Sequence, residues 1–239
     1  MDRSFNRTNN QLRPVRLERG FVRNSPGSVL YRSGETAVLV TASISDSVPP
    51  FLEGKSIGWL TAEYAMLPGS TSSRIRRGTD GRATEIQRLI GRSLRAIVDR
   101  KALGPWTIHI DADVLNADGG TRTAAITAAF IAVADAINGR FGTDACRSIL
   151  SDSIAAVSAG IVGGEAMLDL DYREDSTAEV DINVVRTGKG GLVEVQGTGE
   201  GGTFSRGQLD ELLNLADQGI QHLTTLQREA LGDSWSPKL

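Results

Sequence analysis

The sequence predicts an α+β fold in which two β-sheets and a small number of long helices are layered into one compact unit. Three observations carry this. Apolar alternation with a period of two recurs in clusters, at residues 15–20, 28–42 and 107–114 and in four segments after residue 154. Helical periodicity appears in the stretches 84–97, 121–137 and 205–226. The order of elements, strands then helix, strand then helix, then strands and a final helix, departs from the strict alternation of a doubly wound parallel sheet.

At 239 residues, 40% hydrophobic and 23% charged, the chain has the material for a core without covalent staples. No stretch has linker composition. One domain over 1–239 is expected, with 1–145 contributing a β-meander and two helices and 146–239 a second sheet and a C-terminal helix.

The first strand is read from Val15, Leu17 and Arg19 alternating with Arg16 and Glu18. Ser28–Arg32 and Thr36–Ala42 flank Ser33-Gly34-Glu35 as a hairpin, and a third β-run from Ser56 to Met66 completes the meander. Pro68–Ser73 ends it. An arginine loop follows from Arg74 to Arg82, with little to bury and so better suited to contacting a partner. Thr84 then opens a helix with Ile86, Leu89, Ile90, Leu94 and Ile97 as its core stripe and Arg88, Arg92 and Arg95 on the other side.

Thr107–Val114 is a strand that buries Ile108, Ile110, Ala112 and Val114; His109 shares the opposite face with Asp111 and Asp113 and is read as structural. A buried helix, marked by Ile126, Phe130, Val133 and Ile137, comes next; its apolar stretch is expected to be too short to span a bilayer. Strands Ile154–Ile161, Ala166–Tyr172, Ala178–Val185 and Leu192–Val195 are joined by turns at Gly163-Gly164 and Lys189-Gly190-Gly191. Ser205 with Gln208 three residues on is a capping box, opening a helix with Leu209, Leu212, Ala216, Ile220, Leu223 and Leu226 on one stripe.

The net charge of −3 conceals an asymmetry. Arg3, Arg7, Arg13, Arg16, Arg19 and Arg23 crowd the N-terminus, and seven more arginines lie between Arg74 and Arg95, which predicts a local basic surface fit for a polyanion. The single Cys146 excludes an intrachain disulfide and suits a reducing compartment. No early run has the pattern of a secretory signal, so a cytoplasmic location is expected.

The chemistry centres on Asp118-Gly119-Gly120-Thr121-Arg122. Two glycines let backbone approach an anion, the helix start offers free N–H groups, and Arg122 adds a forked cation, a combination suited to phosphate. Downstream, Val180, Ile182 and Val184 point to the core, leaving Glu179, Asp181 and Asn183 on the accessible face, with Asp175 in the preceding turn able to fold back towards Asp181. Such a carboxylate pair suits a hard cation shared with substrate phosphate oxygens. Anion holder, carboxylates and basic loop together describe phosphoryl transfer on a polyanion.

Asn9, Gln11-Leu12-Arg13-Pro14-Val15, Gly58–Pro68, Gly81-Arg82 with Glu85–Ile90, Asp113–Leu115 with Asp118–Thr123, Glu174-Asp175-Ser176 and Glu194–Thr198 together resemble the bacterial ribonuclease PH family along essentially the whole chain. The resemblance implies the ribonuclease PH fold (ribosomal protein S5 domain 2-like), shared with polynucleotide phosphorylase cores and exosome ring subunits. It implies a phosphorolytic 3′-to-5′ exoribonuclease, a tRNA nucleotidyltransferase, that trims 3′ ends of tRNA precursors with inorganic phosphate as co-substrate and Mg²⁺ or Mn²⁺ as cofactor. The expected assembly is a homohexamer, a trimer of dimers, acting on RNA and not on membranes. By motif, Arg82, Gly120, Thr121 and Arg122 would bind phosphate, Asp175 and Asp181 would serve metal binding and catalysis, and Arg74, Arg76 and Arg77 would bind RNA. The arginine loop is a few residues shorter than the family's. Two rival readings are a small-molecule kinase, which would bind a nucleoside triphosphate, and a silent RNA-binding ring subunit, against which the complete residue set argues.

Overall fold

The computed structural model describes residues 2–78 and 81–235. The first sheet has strands β1 (Val15–Arg19), β2 (Gly27–Ser33), β3 (Thr36–Ser45), β4 (Trp59–Met66) and β5 (Thr107–Asn116), in the order β1-β2-β3-β5-β4. Only β1-β2-β3 is a meander. β4 does not pair with β3; it lies at the edge, parallel to β5, with Trp59 opposite Thr107 and Met66 opposite Val114. The expected meander through Met66 is corrected for a topological reason: parallel neighbours need a crossover, and helix α1 (Gly81–Arg95) supplies it, leaving β3 to pair antiparallel with β5. β4 also starts at Trp59 rather than Ser56, whose left-handed φ of 50° interrupts an extended run.

The stripe of α1 is as expected, with Ile86, Leu89, Ile90, Leu94 and Ile97 all buried, although the helix begins at Gly81 rather than Thr84. Besides the two expected helices, the described residues up to 149 hold α2 (Arg100–Leu103) and α4 (Thr143–Ile149), which span four and seven residues, too few to show a period. Between them α3 (Thr121–Phe141) runs for 21 residues. That is long and apolar enough to cross a bilayer, contrary to the estimate from its apolar stretch, but most of it is buried inside the protein.

The second sheet has the order β7-β6-β8-β9, from β6 (Ile154–Val162), β7 (Glu165–Leu168), β8 (Val180–Thr187) and β9 (Leu192–Gly199). The expected strand to Tyr172 stops at Leu168; Tyr172–Asp175 is instead the one-turn helix α5, started by a capping box between Asp171 and Glu174. The predicted capping box of Ser205 and Gln208 opens α6 (Arg206–Leu231).

β6 is buried along its whole length because both faces of its sheet are covered. Ile154, Ala156 and Val185 join the core built by α3 and the first sheet, while Val157, Ile161, Ile182 and Val184 pack with Leu212, Ala216, Ile220 and Leu223 of α6. The layers are therefore first sheet, α1 with α3, second sheet, α6. Gln227 of α6 reaches across to donate to the carbonyls of Thr127 and Ile154 at 2.9 and 2.8 Å. The amino end of α3 consequently opens where the two sheets meet.

Candidate active site

The turn before α3 is built to present N–H groups and to hide carbonyls. Gly119 and Gly120 have φ of 75° and 65°, left-handed values that cost glycine little, and Gly120 is the N-cap of α3. The carbonyl of Asp118 accepts from Arg13 Nη1 at 2.5 Å, that of Gly119 from Thr36 Oγ1 at 2.7 Å, and that of Gly120 from Thr123 Oγ1 at 2.9 Å. The first N–H groups of a helix have no partner within it, so this turn concentrates partial positive charge at the cleft. Thr121 Oγ1 accepts from the Tyr64 hydroxyl at 2.9 Å, which leaves its own proton to be donated. Arg122 donates through Nη1 to Gln196 Oε1 at 2.6 Å and faces Glu85 at 3.5 Å, so side chains from β9 and α1 aim it.

Across the cleft, α5 and β8 supply the carboxylates. Asp181 is on the face of β8 opposite the core residues Val180 and Ile182, and accepts from Asn183 Nδ2 at 3.3 Å. Burial and the charge of Asp175 push its carboxyl up to about 6, against a smaller pull from Arg122. Burial also raises Asp175, and Arg82 and Arg122 offset part of that rise. The expectation that Asp175 folds back towards Asp181 holds, although the segment is a helical turn. Glu179, the third member of that strand face, instead accepts from the Gly164 N–H at 3.2 Å and braces the β6–β7 turn.

Behind the cleft lies an ion cluster that the charge pattern did not predict. Arg3, Arg7 and Arg13, expected on a basic surface, are 7%, 8% and 2% exposed. Arg3 and Arg7 pair with Glu174 at 2.7 and 3.3 Å, and Arg13 pairs with Asp169 at 2.7 Å. Burial alone would raise both carboxyls, but the Arg13 charge and hydrogen bonds hold Asp169 below the ordinary range, and Arg3 does the same for Glu174. Their partners are more than 150 residues away in sequence, which is why composition could not reveal them. Arg19 likewise pairs with Asp135 at 2.5 Å.

All of these elements meet in a cleft of 780 Å³ whose walls include Arg76, Arg77, Arg82, Gly120, Thr121, Arg122, Asp175 and Asp181. Arg74 is exposed and not among its lining residues; Thr79 and Asp80 of the arginine loop lie outside the described residues.

Two family models match the chain: "3' exoribonuclease family, domain 1" over residues 11–137 and "3' exoribonuclease family, domain 2" over residues 152–219. The Ribonuclease PH of Rhodopirellula baltica is 54% identical over 235 residues, covering 94% of this chain and 96% of that protein. That of Syntrophomonas wolfei is 52% identical over 238 residues, covering 97% and 100%. The chain belongs to the ribonuclease PH family of 3′ exoribonucleases. Its fold is also that of rice (Oryza sativa) Rrp46, with a TM-score of 0.78 at 18% identity over 96% of this chain and 100% of that one. A chain of the Archaeoglobus fulgidus exosome, solved with RNA bound to the active site, gives 0.79 at 21% identity over 96% and 92%.

Within this ribonuclease PH fold, sequence reasoning missed Tyr64, Ser158 and Tyr172 on the cleft wall, and Gln196, which holds Arg122 from β9. Ser158 is hidden in the wholly buried β6 and accepts from the Leu170 N–H at 3.2 Å. Tyr64 and Gln196 gave no signal apart from their place in the resembling motifs. Tyr172 had one, its position three residues before Asp175, which on a helix is the same face. His109, 3.1 Å from Ser45 Oγ on the outer face of the first sheet, is outside the cleft, as its structural reading requires.

Proposed function

We propose that this chain is a phosphate-dependent 3′-to-5′ exoribonuclease that trims the 3′ ends of tRNA precursors, releasing nucleoside diphosphates in a reversible nucleotidyl transfer. One observation carries the reading: the glycine turn at the start of α3 with Arg122, and the carboxylate pair Asp175 and Asp181, line one cleft together with Arg76, Arg77 and Arg82. Inorganic phosphate would lie against the N–H groups at the start of α3, between Arg82 and Arg122. These donors offset its repulsion by the RNA anion and align one of its oxygens with the terminal phosphodiester. Attack forms a new P–O bond and breaks the P–O3′ bond, so the last residue leaves as a nucleoside diphosphate and the shortened RNA keeps its 3′ oxygen. That oxygen takes a proton. Asp181, with the higher-lying carboxyl, suits this role better than Asp175.

Asp175 and Asp181 would hold Mg²⁺ or Mn²⁺, which neutralises charge developing on the scissile phosphate. The donor set fits. Among the described residues no cluster of three His, Cys, Asp or Glu side chains could cage a metal, but Mg²⁺ is typically held by one or two carboxylates with substrate oxygens and water. The Asp181 carboxyl, raised by burial and by the charge of Asp175, would be relieved by such a cation. Arg76 and Arg77 would hold the RNA backbone on the cleft wall; Arg74, exposed outside it, would meet RNA further from the 3′ end.

We place the enzyme in the cytoplasm, in keeping with its one buried, unbridged Cys146, as a homohexamer built from three dimers. The test is incubation with a 3′-extended tRNA and Mg²⁺, with and without phosphate. Nucleoside diphosphates released only with phosphate are expected; monophosphates would mean hydrolysis and overturn the role of the anion holder.

A further inference from the structure

Tyr172 is the least explained side chain of the cleft. It is 62% exposed, the most exposed of the large hydrophobic residues among the described residues, yet it lines the cleft whose other aromatic, Tyr64, is buried. Its hydroxyl makes no hydrogen bond among the described residues. A solitary exposed aromatic on an outer surface needs no explanation, but this one stands on the wall that carries Asp175.

The backbone beneath the ring is fixed from three sides. The Tyr172 N–H donates to Asp118 Oδ1 at 3.3 Å. The Gly119 turn approaches so closely that a Cβ there would lie 2.5 Å from the Leu170 carbonyl oxygen and 3.0 Å from the Tyr172 nitrogen. Asp171 caps α5, and Glu174, one residue before Asp175, is clamped by Arg3 and Arg7. The ring therefore stands on a fixed backbone segment, three residues before Asp175, whose nitrogen lies against the Asp118-Gly119 turn.

We propose that Tyr172 is a stacking platform for the base of the 3′-terminal nucleotide. A flat π-face accepts any of the four bases, which an exonuclease moving along a chain of mixed sequence requires, and a tyrosine ring has only two side-chain torsions to fix on binding. The cations Arg76 and Arg77, which line the same cleft, take the backbone charge while the ring takes the neutral base. This rests on the phosphorolytic reading of the cleft, and it names the subsite at which the released nucleoside is held while its phosphodiester is attacked.

The test compares wild type, Tyr172→Ala and Tyr172→Phe on two single-stranded oligoribonucleotides, one intact and one whose 3′-terminal nucleotide lacks its base. Equilibrium binding is read by fluorescence anisotropy, and KM is measured separately for RNA and for phosphate. Tyr172→Ala is expected to weaken the intact oligonucleotide on the order of ten-fold in Kd and KM, to leave the phosphate KM unchanged, and to bind the abasic oligonucleotide as wild type does. Tyr172→Phe should behave as wild type. An unchanged Kd for the intact end, an equal loss on the abasic end, or a raised phosphate KM, meaning that the ring acts through the glycine turn, would each overturn the platform. Absence of phosphate-dependent release by the wild type would sink the phosphorolytic reading instead, and the anisotropy difference between the two ends would still decide for or against stacking.

Discussion

Asp181 sits on a strand whose alternate residues fill the core, and its carboxyl is pushed up to about 6 by burial and by Asp175. Between the ordinary aspartate value near 4 and about 6, the folded chain keeps a proton that the unfolded chain has released, so stability falls as pH rises through that window. Asp181→Asn should therefore gain about 1 kcal/mol at pH 7.5, gain nothing at pH 4, and lose activity; thermal melts at the two pH values check this, and equal shifts at both would refute it. Because protons and a cation compete for the same pair, the Mg²⁺ concentration for half-maximal activity should climb several-fold from pH 7.5 to pH 5.5, measured by metal titration at each pH. Arg122, held by Gln196 and Glu85, would act on the other reactant of the proposed reaction. Its role was legible because a guanidinium at a helix start has one obvious ligand class. The burial of Arg13 was not legible, since its partner Asp169 is 156 residues away.

At the scale of elements, the N-terminal arm works as a strap. Residues 3–13 tie the phosphate turn, through the Asp118 carbonyl, to the segment 169–174 that leads into α5. Arg13→Met would leave Asp169 buried without its closest cation, and an expected cost of about 3–5 kcal/mol follows, readable by urea unfolding. The depressed carboxyls of Asp169 and Glu174 contribute stability that is complete above their ordinary range near 4 and is lost as pH falls through their lower folded values, so the wild type should unfold in acid below that range. Gly119→Ala should do more local damage, because its φ of 75° disfavours a side chain and its Cβ would push the Leu170 carbonyl away. KM for phosphate and for RNA should then both rise at least several-fold in steady-state assays; a change in only one would show that the turn and α5 move independently.

For the whole molecule, the catalytic cleft exists because two sheets share α3. The first sheet and α1 bring Arg82 and the loop arginines, the start of α3 brings the glycine turn and Arg122, α5 brings Asp175, and β8 of the second sheet brings Asp181. Local periodicity made the strands, the stripe of α1 and the capping box of α6 readable, since each is decided within a few residues. The parallel placement of β4 beside β5 and the one-turn α5 were not readable, the first because pairing is non-local and the second because four residues show no period. The central claim is that one cleft holds phosphate with Arg122 and performs the transfer with Asp181. Its most direct test is a phosphate saturation curve on wild type, Arg122→Ala and Asp181→Asn, with RNA affinity measured alongside. Arg122→Ala should raise the phosphate KM or lower kcat/KM for phosphate by roughly 10²-fold or more with RNA affinity nearly unchanged, and Asp181→Asn should abolish kcat. An unaltered phosphate dependence in Arg122→Ala, or nucleotide release by wild type without phosphate, would contradict the account.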